Sequence, residues 1–305
     1  MTNGVSRNGI GRRAFIAGCG AAAAAPLAAE RKADAPGPAR VRFGAVADCH
    51  YADLKEQLWE NYEDAVYYRE SLVKMRKFVR TMNERKVDFV VELGDFKDKS
   101  PTVPATLAKL DELERAFAAF EGPHYHVLGN HDTDVLTKEE FLSHVSNTGF
   151  AKATARYAFE RGGFKFIVLD ANYDSQLRHY GRNNPWKDSN VPPEELEWLK
   201  AELAATTLPV VVFCHQWLAP CPDKDCEVRN SAAVRAVLEA SGKVKAVIMG
   251  HIHAEGLCNL NGIRYHSVRA LCIGPAKECC AFSEIAVDAD GTVTVADYSA
   301  PAVVE

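Results

Sequence analysis

Val87-Asp88-Phe89-Val90-Val91-Glu92-Leu93-Gly94-Asp95-Phe96-Lys97-Asp98 is the stretch that decides the fold. It passes from an apolar run to a glycine and then to two carboxylates. A short apolar run closed by a turn signal reads as a buried strand. Four other places repeat the pattern. Val41 to Ala47 runs into Asp48-Cys49-His50, and Tyr125 to Leu128 into Gly129-Asn130-His131-Asp132. Val210 to Phe213 leads to His215-Gln216, and Val244 to Met249 into Gly250-His251-Ile252-His253. In open α/β sheets, sites form beyond the carboxyl ends of strands, so the five clusters are expected on one sheet edge. Residues i and i+2 of an extended segment share a side, which pairs Asp48 with His50 and His251 with His253. The glycines before Asp95, Asn130 and His251 let the chain turn sharply where each strand stops.

The segments between these strands read as helices. Tyr68, Leu72, Met75, Val79 and Met82 recur at helical spacing, as do Leu107, Leu110, Leu113, Phe117 and Phe120. Pro192-Pro193 opens a helix through Leu196, Leu199 and Leu203. Another helix falls between the strands at Val210 and Val244. Arg161-Gly162-Gly163, Asn261-Gly262 and Asp290-Gly291 mark hairpins. The pattern is α/β with added antiparallel strands.

The chain has 305 residues, 47% hydrophobic and 25% charged, a balance that excludes disorder or coiled coil as the main theme. The length allows one large domain or two small ones. A formal charge of −5 offers no basic surface for a phosphate backbone, so no specific nucleic-acid partner is expected. Residues 1–29 contain no acid. They carry Arg7, Arg12 and Arg13 ahead of an Ala-rich run. That order describes an export signal, and Arg12-Arg13-Ala14-Phe15-Ile16 resembles a twin-arginine signal. The run is too short and too Ala-rich for a transmembrane segment. Ile16-Ala17-Gly18-Cys19 also looks like a lipoprotein box. Only five residues separate Arg13 from Cys19, so cleavage near Ala29 is preferred. Residues 30–40 are then a linker and 41–305 the folded domain. The mature charge is −8, since the leader removes three arginines and no acid. A periplasmic or extracellular location follows.

Of nine cysteines, eight lie beyond the leader, and none forms a C-x-x-C pair. That argues against a zinc ribbon. Cys221 and Cys226 flank Pro-Asp-Lys-Asp and are expected to close a small disulfide loop in an oxidising compartment. Cys49 and Cys214 read as small buried side chains.

The clusters offer seven metal-type donors: Asp48, His50, Asp95, Asn130, His215, His251 and His253. Oxygen and nitrogen donors of this kind suit manganese, iron or zinc, and fit calcium poorly. Seven are too many for one tetrahedral ion and about right for two ions sharing a carboxylate. Any one of these residues alone would read as a structural side chain; five polar clusters at five strand ends would not.

The full set resembles the calcineurin-like metallophosphoesterase superfamily, whose pattern is D-x-H, G-D-x-x-D, G-N-H-[DE], a lone His and G-H-x-H. All five blocks occur in order. The resemblance implies a four-layer α/β/β/α sandwich. It also implies that Asp48, His50, Asp95 and His253 hold one ion. Asp95, Asn130, His215 and His251 would hold the other, with Asp95 bridging. His131 would face the substrate and Asp98 would orient it.

His50-Tyr51-Ala52-Asp53 and Tyr67-Tyr68-Arg69-Glu70-Ser71 look like the branch with bacterial alkaline phosphatase-like proteins and manganese-dependent ADP-ribose/CDP-alcohol diphosphatases. The diphosphatases tend to carry Gln where this chain has His50. Protein Ser/Thr phosphatases have Arg where this chain has Lys99.

The implied activity is hydrolysis of a small-molecule phosphate ester by two divalent or trivalent ions. A metal-bridging hydroxide would attack phosphorus in line, as no Ser, Thr or Cys is placed as a nucleophile. The alternative is a nucleoside-diphosphate-linked pyrophosphate substrate. A non-catalytic scaffold on the same fold is disfavoured, because every ligand position is filled. Arg178, His179, Arg182 and Lys224 lie on polar loops and are assigned no role.

Overall fold

The computed structural model describes residues 41–59, 64–221, 223–288 and 290–302. The leader, Cys19 and the linker lie outside them. Strands β1 (Val41–Val46), β2 (Phe89–Glu92) and β3 (His124–His126) lie side by side and parallel. The antiparallel strands β10 (Phe282–Val287) and β11 (Val293–Tyr298) extend this sheet beyond β1, giving the order β11-β10-β1-β2-β3. The second sheet has the order β4-β5-β6-β7-β9-β8. Its parallel centre is β5 (Phe164–Val168), β6 (Val210–Phe213), β7 (Val244–Met249) and β9 (Ile263–Ser267). Its edges are β4 (Tyr157–Arg161) and β8 (Gly256–Leu260), each joined to its neighbour by a tight hairpin. Asn261 (φ 50°) and Gly262 (φ 82°) both take the left-handed backbone that the Asn-Gly pair favours in such turns.

Alternation along the strands explains why they read as unbroken apolar runs. Phe164, Phe166 and Val168 face the other sheet, with Phe43, Phe89, Val211 and Phe213. Ile167, Leu169, Val210 and Val212 face the opposite way, onto α4 (Pro193–Ala204) and α5 (Ser231–Ser241). On the far side of the first sheet, Val46 and Val90 meet α1 (Ser71–Arg85) and α2 (Val103–Phe117) through Met75, Phe78, Leu110 and Phe117. The layers therefore run helix, sheet, sheet, helix. Between the sheets, Phe43 stacks on Phe89 at 4.8 Å and Phe89 meets Phe166 edge-on at 5.0 Å. Full burial of each such side chain is worth about 1.5–3 kcal/mol. A short helix, α3 (Lys138–Leu142), follows β3.

Two expectations need correction. The five clusters do not share one sheet edge. Those after β1, β2 and β3 come from the first sheet, and those after β6 and β7 from the second. Cys221 and Cys226 are not joined in a disulfide. Both are buried in the core beside α5, and Cys226 Sγ faces Asp223 Oδ2 at 3.7 Å. Packing, rather than a covalent loop, orders this segment. Cys49 and Cys214 are fully buried, as expected.

Candidate metal centre

Parallel register carries the ends of β1, β2 and β3 to one level, and there the backbone leaves the strand conformation. Asp48 (φ 52°), His50 (φ 46°), Asp95 (φ 56°), His251 (φ 70°) and His253 (φ 55°) are all left-handed. The expected pleat pairing of Asp48 with His50, and of His251 with His253, is therefore not how these side chains converge. Each non-glycine residue held there costs about 1–3 kcal/mol, less for Asp and His than for bulky residues. Hydrogen bonds hold the loops in place. Asp48 N donates to Gly94 O at 3.0 Å and His50 N to Asp95 O at 2.8 Å. His131 N donates to Asp95 Oδ1 at 2.7 Å, and His251 N donates to the Asp48 carboxylate at 3.0 Å. Gly94 supplies the sharp turn with φ 97°. Gly129 is needed for closeness instead, because a Cβ there would lie 2.1 Å from Asp95 N.

The structure brings the seven donor residues together. Asp48, His50, Asp95 and His253 each offer a donor atom within 4.8 Å of the others, and so do Asp95, His215 and His251. His50 Nε2 is 3.0 Å from His253 Nε2 and 3.6 Å from Asp95 Oδ2. His215 Nε2 is 3.2 Å from Asp95 Oδ2, Asn130 Oδ1 and His251 Nδ1 alike. Asp95 Oδ2 thus faces both groups.

Tautomers follow from the outer partners. His215 Nδ1 donates to Leu93 O at 2.8 Å, and His50 Nδ1 donates to Asp98 Oδ2 at 3.2 Å. In the neutral rings, the form that binds a metal, both Nε2 atoms then carry the lone pair, aimed at carboxylates and at other ring nitrogens. His251 Nε2 is buried with no hydrogen-bond partner. Such a set repels itself unless a cation sits among it, so the residues present fit metal ions. The field points the same way. Burial opposes charge on His215, yet Asp95 and then Asp48 pull its pKa up to about 9.

Beside the donors, His131 Nδ1 stands 3.4 Å from Asp98 Oδ2 and 3.7 Å from Asp134 Oδ2. Burial would raise the Asp98 carboxyl, but His131 and His50 hold it well below the usual range. The buried Lys97 ammonium donates to His131 O and to Asp134 Oδ1.

Three features were missed in the sequence. Asp132 accepts from Asp95 N, Phe96 N, Lys97 N and Gly129 N at 2.8–3.2 Å, so its carboxylate clamps the two glycine loops together. Trp59 lies face to face with His131 at 5.8 Å and donates to Tyr68 OH at 2.8 Å. Trp186 meets His251 edge-on at 5.9 Å. A large aromatic in a polar loop was the available signal for both tryptophans. Arg178, Arg182 and Lys224 are engaged by Asp174, Glu140 and Glu227, and His179 packs on Tyr173.

Residues 41–255 match the family model for calcineurin-like phosphoesterases, and the chain belongs to that family. It is a metal-dependent phosphoester hydrolase with the two-sheet fold of that family. It is similar to proteins named manganese-dependent ADP-ribose/CDP-alcohol diphosphatase. The one from Arabidopsis thaliana is 26% identical, covering 78% of this chain and 86% of the relative. The one from Danio rerio is 29% identical, covering 71% and 82%. Among solved structures, a dimetal phosphatase from Danio rerio superposes with a TM-score of 0.73 at 21% identity, over 86% of this chain and 96% of the other.

Proposed function

We propose that two ions, of manganese, iron or zinc, bind this centre and that the chain hydrolyses small-molecule phosphate esters there. Asp48, His50, Asp95 and His253 would hold one ion; Asp95, Asn130, His215 and His251 would hold the other. The observation that carries this is Asp95 Oδ2, within 3.6 Å of His50 Nε2 and 3.2 Å of His215 Nε2. Ions held there supply positive charge against phosphoryl oxygens and lower the pKa of water for attack. The chain's own residues do the rest. Leu93 O and Asp98 fix the tautomers of His215 and His50, so both rings present Nε2 inward. Asp98 and Asp134 bracket His131 Nδ1 and favour the doubly protonated imidazolium, which keeps a proton on Nε2 to give to the leaving oxygen. His131 is thus the acid that completes P–O cleavage.

A second reading, a nucleoside-diphosphate-linked substrate cleaved at its pyrophosphate, draws support from the names of the relatives. Export by the leader at residues 1–29, to the periplasm or beyond, belongs to the same proposal. Among the described residues no helix is long and apolar enough to cross a membrane. Turnover of one monoester, one diester and one nucleotide-linked pyrophosphate should be measured after loading with each metal. Metal-dependent hydrolysis of at least one class is expected, and its substrate ratios choose between the two readings. No metal-dependent turnover of any class would refute both.

A further inference from the structure

The loop that follows β2 grips His131 at three points. Asp95 Oδ1 accepts from His131 N at 2.7 Å, the Lys97 ammonium donates to His131 O, and Asp98 Oδ2 stands 3.4 Å from His131 Nδ1. Lys97 makes a second contact with the same turn. Its ammonium also donates to Asp134 Oδ1, and Asp134 Oδ2 lies 3.7 Å from His131 Nδ1. One side chain thus holds both the backbone of His131 and a carboxylate beside its ring.

His131 depends on such a hold. Its side chain is 27% exposed, while those of His50, His215 and His253 are 3% or less. Burial alone therefore does not fix the ring. His131 also begins a single turn of 3₁₀ helix, His131–Thr133, closed by backbone bonds of 3.3 Å. Turns of this kind have poor hydrogen-bond geometry and hold themselves weakly. Asp95 and Asp98 serve the metal-type donors as well. Among the described residues the Lys97 ammonium bonds only within the His131–Asp134 segment. It is fully buried, and a buried ion pair adds little stability over apolar side chains of similar volume.

We infer that Lys97 is a positioning residue for His131, setting where the ring's Nε2 meets the leaving oxygen. This rests on the acid role of His131 given above and adds to it the residue that places the ring. Without the ammonium, His131 O and Asp134 Oδ1 lose a shared donor, and the exposed ring is free to shift. Misplacement of a reacting group by about 1 Å can cost on the order of 10²-fold in rate.

Lys97→Met keeps the length of the side chain and removes the charge. In the metal-loaded full chain, kcat on an alkyl phosphoester should fall by about 10–10²-fold and on a p-nitrophenyl ester clearly less, at unchanged metal content. Added to His131→Gln, it should cost little more. Asp134→Asn, at the 19%-exposed end of the pair, should show the same leaving-group dependence at smaller size, and carries the test if Lys97→Met does not fold. Equal losses on the two esters in either variant would overturn the positioning role. So would a full additive loss in the His131→Gln background, or loss of metal from Lys97→Met. The acid role would still stand if His131→Gln alone discriminates between the esters. If His131→Gln does not discriminate, both fall.

Discussion

Asp98 Oδ2 lies 3.2 Å from His50 Nδ1 and 3.4 Å from His131 Nδ1. One carboxylate therefore serves a metal-type donor and the candidate acid together. General acid catalysis is worth about 10²–10⁴-fold, and it matters most when the leaving oxygen is a poor one. His131→Gln should cost alkyl phosphoesters most of that factor and p-nitrophenyl esters clearly less. Asp98→Asn should show the same leaving-group dependence at smaller size. kcat/KM for both variants on both ester types, with metal content checked, decides it. Equal losses would leave His131 as an electrostatic clamp only.

Asp132 is expected to matter more for the fold than for the chemistry. Removing its carboxylate orphans the N–H groups of Gly129, Asp95, Phe96 and Lys97, all in buried loops. Each unsatisfied buried donor costs about 1–3 kcal/mol, so Asp132→Ala should lose roughly 3 kcal/mol or more. Urea unfolding of the two proteins measures this. A loss within the range of a surface substitution would show that the loops hold without the clamp.

His126 gives the fold a pH signature on the alkaline side. Burial opposes its charge, but Glu114 and Glu92 hold its pKa up to about 10. The folded value lies above the ordinary one of 6.5. The stability from this charge is therefore present below pH 6.5 and lost as pH rises through about 10. The gap in unfolding free energy between wild type and His126→Gln should shrink over that window. A constant gap would mean that the ring stays neutral between its two glutamates.

Export is tested at Arg12 and Arg13. Replacing both by lysine should leave full-length precursor inside the cell, as a folded cargo needs the arginine pair. Fractionation followed by immunoblotting reads this out. Mature protein outside in normal amount would contradict the twin-arginine reading.

The sequence marked the seven residues that the structure brings together, because each follows an apolar strand, a local pattern. It also disclosed the helices, whose faces repeat every three or four residues. The path of the backbone through the centre was not legible. Asp48, His50, Asp95, His251 and His253 adopt left-handed φ, which hydrogen bonds from other loops enforce. The split over two sheets was hidden as well, since a strand buried on both faces reads alike in either one. Helix α3 did carry a local signal, the Thr137 and Glu140 capping box. Trp59 and Trp186 sit on loops without periodicity, so their approach to His131 and His251 depends on long-range folding. The Cys221–Cys226 pairing failed because proximity in sequence does not set the direction of two side chains.

The central claim is a pair of ions sharing the Asp95 carboxylate, and metal content measured together with activity tests it most directly. Elemental analysis of fully active wild-type protein should give two tightly bound ions per chain, and Asp95→Asn should weaken both. One ion in fully active protein, or two ions held unchanged by Asp95→Asn, would contradict it.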